Sequence, residues 1–166
     1  MSSNWVQALP CSKEWNWVGI TPLAVSGITY YTKDNKKLFL VGQRSQNVTS
    51  YPGFYEFVPS GSIDVDKTSH SHLIDYYKQL IVELYEEVGI ESSRINHMKT
   101  FALVYDAKDK VFDIGIAIEL DSNFSNINKP EYKEVSLVSE DDILNIITNN
   151  TVETSRKLLK AWQALH

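Results

Sequence analysis

Apolar and polar positions change period several times along the 166-residue chain. From Trp17 to Thr32 the run WVGITPLAVSGITYYT is rich in β-branched and aromatic residues and is broken once, at Pro22. A polar turn, Lys33-Asp-Asn-Lys-Lys37, separates it from LFLVGQRS (38–45), so the two runs predict a hairpin. Tyr51-Pro-Gly-Phe reads as a turn, and FYEFVPSGSID (54–64) as a short strand entering a Pro-Ser-Gly loop. Over 73–88 the period becomes helical. Leu73, Tyr77, Leu80, Leu84 and Val88 recur at spacings of three and four, and Gly89 follows as a C-terminal stop.

The alternating pattern then returns. FALVY (101–105), a turn at Ala107-Lys-Asp-Lys110 and VFDIGIAIEL (111–120) predict two more strands. In the second, Phe112, Ile114, Ile116, Ile118 and Leu120 form an apolar face opposite Val111, Asp113, Gly115, Ala117 and Glu119, the pattern of a half-buried strand. After an Asn- and Ser-rich loop (121–130), EVSLV (134–138) is a last strand. Ser139-Glu-Asp-Asp142 has a capping-box-like pattern, and a final helix runs over about 152–165. Strands, helix, strands and helices in that order predict an α/β domain, a mixed β-sheet sandwiched between α-helices. Residues 1–16 read as a polar lead-in arm and 17–166 as a single domain.

Composition narrows the function classes. Apolar residues make up 43% and charged residues 22%, the balance of a globular domain rather than a disordered tail. The net charge of −5 argues against a nucleic-acid partner and against docking on anionic membranes. No apolar run approaches a membrane span. Cys11 is the only cysteine, so no intramolecular disulfide can form, and a reducing, cytoplasmic location is expected. An acidic protein that handles phosphates needs a cation between them.

The helix 73–88 carries the candidate chemistry. At 3.6 residues per turn, Glu83, Glu86 and Glu87 share one arc that includes Gln79, and Leu73, Tyr77, Ile81, Leu84 and Val88 lie opposite. Like charges at these spacings, at the end where the helix dipole disfavours anions, carry two small penalties. On spacing alone a solvated acidic face accounts for them. The alternative is a site for Mg²⁺, with Mn²⁺ as a substitute, since oxygen-only donors suit these ions and the ions bind phosphates.

VELYEEVGI (82–90) reads x-E-U-x-E-E-x-G-U, with U a bulky aliphatic residue, downstream of a glycine loop in FYEFVPSGSID. Together these resemble the box of the Nudix hydrolases, G-x5-E-x7-R-E-U-x-E-E-x-G-U, over roughly residues 17–150. Its tail matches Glu83, Leu84, Glu86, Glu87, Gly89 and Ile90, and its opening glycine matches Gly61. Two features depart from it. Val82 replaces the arginine, and Gly61 to Val82 is 21 positions instead of 14, an insertion of seven at the loop-to-helix junction. The family's arginine and upstream glutamate hold each other. Here the matching positions are Val82 and Ile74, so a hydrophobic contact is expected in place of the pair, and the orientation of Glu83 is the open point. A lengthened junction, with TPLAVSG (21–27), VGQRSQNVTSYPG (41–53) and QLIVELYEEVGI (79–90), resembles the branch that hydrolyses UDP-glucose.

The resemblance implies the Nudix fold and hydrolysis of a nucleoside diphosphate linked to another group. A nucleotide sugar such as UDP-glucose is one reading of that substrate, and ADP-ribose, a dinucleoside polyphosphate or another nucleoside diphosphate derivative are the others. A catalytically inactive nucleotide-binding module is the alternative. Glu83, Glu86 and Glu87 are implied as catalytic metal ligands, with the Gly61 carbonyl adding an oxygen; Gly61 also reads as a turn glycine needing positive φ. Arg44 is implied at a substrate phosphate, with a surface ion pair as the other reading. Glu56 and Asp64 are placed beside the glycine loop, at substrate or a second metal. Glu134 and Glu131 are candidate general bases, alongside Glu86 and Glu87 themselves. His70 and His72 read as loop residues rather than zinc ligands. Trp5, Trp15, Trp17 and Tyr55 read as packing residues more readily than as stacking platforms. The expected partner is a small-molecule nucleoside diphosphate, and many relatives form homodimers.

Overall fold

The computed structural model describes residues 21–63, 69–70, 73–122, 131–148 and 150–165. The lead-in arm, with Trp5, Trp15 and Trp17, lies outside the described residues, as do Asp64 and His72. The elements are β1 (Leu23–Lys33), β2 (Lys36–Arg44), β3 (Tyr55–Phe57), β4 (Ser60–Ser62), β5 (Ser69–His70), β6 (Leu73–Ile74), α1 (Tyr76–Val88), β7 (Ile95–Asp106), β8 (Val111–Leu120), β9 (Tyr132–Ser139), α2 (Ile143–Ile146) and α3 (Glu153–Leu165).

Among the described residues seven strands form one sheet with the path β3-β2-β1-β8-β7; β4 pairs with β1, and β9 with β2. β1 and β8 are parallel, and the remaining pairs of this sheet are antiparallel, so the sheet is mixed. The predicted first hairpin forms. Asp34 and Asn35, at φ 50° and 61°, make a tight turn that both residue types tolerate.

The segment 54–64 is not one strand. β3 pairs with β2, and after Val58 and Pro59 the chain crosses to pair β4 with β1, Gly61 opposite Val25. The expected glycine loop is therefore a short strand at this point. Gly61 lies outside the positive-φ set, which among the described glycines holds Gly53 and Gly89, so a left-handed turn does not explain it.

Each sheet face has its own core. On the α1 face Val25, Leu40, Val58, Leu80, Leu84, Val88, Ile116 and Ile118 are buried together. On the α3 face Ile28, Phe39, Val41, Phe57, Val138, Leu158, Leu159 and Trp162 are buried together, with Tyr55 packed against them. Two covered faces change the expectation for β8. Asp113, Gly115 and Ala117 are buried as well as Ile116 and Ile118, because α3 covers the side expected to meet solvent. A Cβ at Gly115 would stand 2.4 Å from Leu158 Cδ2, so the small residue is what lets α3 approach.

α1 begins three residues later than the periodicity predicts. Asp75 caps it by accepting from the Lys78 backbone N–H at 3.0 Å, and Leu73 and Ile74 fall in β6. Gly89 ends it at φ 72°. No described helix is long and apolar enough to cross a membrane.

Candidate active site

α1 packs Leu80, Leu84 and Val88 into the core, and this rotation carries a neighbouring polar stripe inward with them. Gln79 and Glu87 are 1% and 5% exposed, whereas Glu83 is half-buried and Glu86 is exposed. The acidic arc is thus split: Glu83 and Glu87 turn toward β4, and Glu86 stays on the outer side.

β4 receives both inward carboxylates on adjacent residues. The Ser60 N–H donates to Glu87 Oε1 at 3.2 Å. At Gly61 a Cβ would stand 2.5 Å from the Glu83 carboxyl carbon and 2.7 Å from its Oε1. The glycine is needed for this close approach rather than for an unusual dihedral. Glu83 is also held along its own helix, where Gln79 Nε2 donates to its Oε1 at 2.5 Å. Val82 is half-buried on α1, while Ile74 is 44% exposed on β6 and off the helix. Gln79, one turn upstream, therefore restrains Glu83 in the place of the missing ion pair.

Behind Glu87 lies a buried network. Tyr132, at the start of β9, has its phenol oxygen 2.8 Å from Glu87 Oε2 and 3.0 Å from Glu56 Oε1. Arg44 Nη1 donates to the same Glu56 oxygen at 2.5 Å, and Arg44 Nε donates to the Ser50 carbonyl at 2.9 Å. Burial raises the pKa of Glu87 well above the usual carboxylate value, and the Glu56 charge adds to the rise. Burial also raises Glu56, against the pull of Arg44. The Tyr132 phenol is raised well above its ordinary value by burial and by both carboxylates. The single phenolic proton of Tyr132 thus faces two carboxylates, Glu56 and Glu87.

Arg44, for which a substrate phosphate and a surface ion pair are the two readings, pairs with Glu56, and the pair is largely buried rather than at the surface. Glu131 is exposed and immediately precedes Tyr132, and its carbonyl accepts from the Ser45 N–H, next to Arg44, at 2.8 Å. Glu134 is not brought to the site. It lines a shallow cleft with Val41, Tyr55, Val138 and Ile146, residues of the α3 face, and accepts from Ser136 Oγ at 3.1 Å. A register shift between Gln43 and Arg44 is the cause: it turns Tyr132 to the α1 side while Glu134 keeps the strand's opposite parity. Sequence reasoning missed Tyr132, for which no local signal exists. Gln79 was visible, since it precedes Glu83 by four residues on the same arc.

Among the described residues no three histidine, cysteine, aspartate or glutamate side chains already converge as a metal centre. Mg²⁺ asks for less, because it keeps several waters and takes one or two carboxylates plus substrate phosphate oxygens. The donors at β4 are all hard oxygens, and the Glu83 carboxylate against the Gly61 backbone fits such an ion.

No protein-family model matches the chain, and no curated protein matches it in sequence. Solved structures do match. The Nudix domain of Shewanella oneidensis NrtR, in complex with ADP ribose, aligns with a TM-score of 0.67 over 99% of this chain and 99% of that one, at 13% identity. A MutT protein from Methanosarcina mazei Go1 aligns at TM-score 0.65 and 18% identity, over 87% of this chain and 94% of that one. A C. elegans Ap4A hydrolase in a binary complex aligns at 0.61 and 19% identity, over 87% and 97%. At such identities the likeness rests on architecture, and it agrees with the mixed sheet and its two helical faces: this chain has the Nudix fold.

Proposed function

We propose that the protein is a Mg²⁺-dependent pyrophosphohydrolase whose substrate is a nucleoside diphosphate linked to a sugar. One observation carries the reading: Glu83 and Glu87, two carboxylates of the box-like helix, reach adjacent residues of β4, at Gly61 and Ser60. Glu83, Glu87 and the Gly61 carbonyl would hold the ion, with Glu86 joining from the exposed side. When bound, Mg²⁺ neutralises charge on the diphosphate and acidifies a coordinated water. Water attacks one phosphorus, the bond to the bridging oxygen breaks, and a nucleoside monophosphate and a sugar phosphate leave. Glu131, exposed beside the network, is the candidate to take the water's proton. Arg44 and Glu56 support the carboxylate wall from behind rather than touch substrate.

The test is a Mg²⁺-supported screen of UDP-glucose, ADP-ribose and a dinucleoside tetraphosphate, read as phosphate freed by added phosphatase. Hydrolysis of a sugar-linked diphosphate, lost in Glu83→Gln without a change in melting, supports the proposal. A second reading, a nucleotide-binding module without catalysis, is favoured by the burial of Glu87 and by Val82 in place of the box arginine. Calorimetric binding of ADP-ribose with no product formed would decide for it.

A further inference from the structure

Tyr132 has no task in the hydrolase reading, yet its placement is tightly determined. A Cβ on Gly42 of β2 would stand 2.5 Å from two ring atoms of Tyr132, so the ring lies directly on a glycine. The β2–β9 register shift aims that ring at α1, and the residue is 4% exposed. The phenol oxygen then touches Glu87 Oε2 and Glu56 Oε1, and Glu56 is closed from behind by Arg44. The contacts run from Arg44 through Glu56, Tyr132 and Glu87 to the Ser60 N–H, linking β2, β3, β9, α1 and β4.

The geometry points to Tyr132 as a positioning residue for Glu87: it fixes that carboxylate against β4 before a divalent cation arrives, and thereby sets the affinity of the cation. The inference rests on the metal-dependent reading above. Its physical basis is the orientation of a ligand by its outer hydrogen-bond partner, whose removal typically weakens metal binding by about 10–100-fold. Without the phenol, the Glu87 side chain keeps its Ser60 contact on one oxygen only and regains torsional freedom.

Tyr132→Phe is the discriminating variant, because it keeps the ring on Gly42 and deletes one oxygen. The full chain is titrated with Mn²⁺ alone at 4 °C, and free ion is read by electron paramagnetic resonance. The expected result is an affinity weakened about tenfold, with turnover restored by a matching rise in Mg²⁺. In a Glu87→Gln background the same substitution should change Mn²⁺ affinity no further. Native affinity in Tyr132→Phe overturns the inference, and so does an undiminished effect in the Glu87→Gln background. Failure of Tyr132→Phe to fold at 4 °C also overturns it, since the oxygen would then belong to the fold. Absence of Mn²⁺ binding by the unsubstituted protein is a different outcome: it removes the hydrolase reading and the inference together.

Discussion

The Glu83 carboxylate fills the space that a side chain on Gly61 would occupy, its carboxyl carbon 2.5 Å from where that Cβ would stand. Gly61 is in extended backbone on β4, and Glu83 is on the inward stripe of α1, so two elements distant in sequence meet through a missing methyl group.

Gly61→Ala should therefore separate folding from function. The displaced group is the end of a flexible, half-buried side chain, which can swing aside at small cost. The variant is expected to unfold in urea within about 1 kcal/mol of the native protein, the ordinary range for a mild substitution. Metal-supported turnover should fall by about 10–100-fold, the scale of a misplaced ligand. Native turnover would show that Glu83 does not work at this position.

Gly115→Ala should behave in the opposite way. Its Cβ would meet Leu158 Cδ2 at 2.4 Å and the Ala102 Cβ at 3.1 Å, and Leu158 is fully buried. Neither neighbour has room to move, so overpacking is expected to cost about 1–3 kcal/mol. Urea unfolding measures it. An unchanged midpoint would mean that α3 does not rest on β8.

Gln79→Leu removes the amide that restrains Glu83 and keeps most of the buried volume. Half-buried Glu83 can turn to water, so stability should change by only about 1 kcal/mol. Mn²⁺ affinity should drop while the KM for the nucleotide, measured at saturating metal, stays the same. A raised KM with unaltered Mn²⁺ affinity would place Gln79 at the substrate instead.

Asp113 predicts a pH dependence of stability. It is buried on the α3 face, accepts from Ser26 Oγ at 3.0 Å, and has no hydrogen-bond partner for its Oδ1 among the described residues. Burial pushes its pKa from 3.8 up to about 7. A raised carboxyl pKa means that the folded state holds a proton which the unfolded state has released. The contribution to stability is full below about pH 4 and is lost as pH rises to about 7. Asp113→Asn should gain on the native protein by about 2–4 kcal/mol across that window, since each pH unit separating the folded and unfolded pKa corresponds to about 1.4 kcal/mol. Chemical denaturation at a series of pH values gives the comparison. Parallel curves for the two proteins would show that Asp113 does not titrate there.

Periodicity and caps made the local elements legible. The hairpin of β1 and β2, the last turn of α1 at Gly89, the full span of β8 and the final helix are written in neighbouring residues, because turn chemistry and helical or alternating patterns act over a few positions. The order of those elements also suffices for the class of fold. The box-like tail put Glu83, Glu86 and Glu87 on one helix, and spacing alone grouped Gln79 with them.

Which side of that helix is buried to what depth was decided by tertiary packing. Leu80, Leu84 and Val88 rotate α1 far enough to bury Glu87 and leave Glu86 outside. The crossing from β3 to β4 brings Gly61 under Glu83, and the shifted register of β9 sends Tyr132 to Glu87 but Glu134 to the other face. Such pairings depend on which strand lies beside which and on a single-residue slip. Neither leaves a mark within the segment concerned. The sequence by itself therefore determines the elements and the chemical groups they carry. The sheet, by bringing β4, β9 and α1 together, decides which of those groups meet.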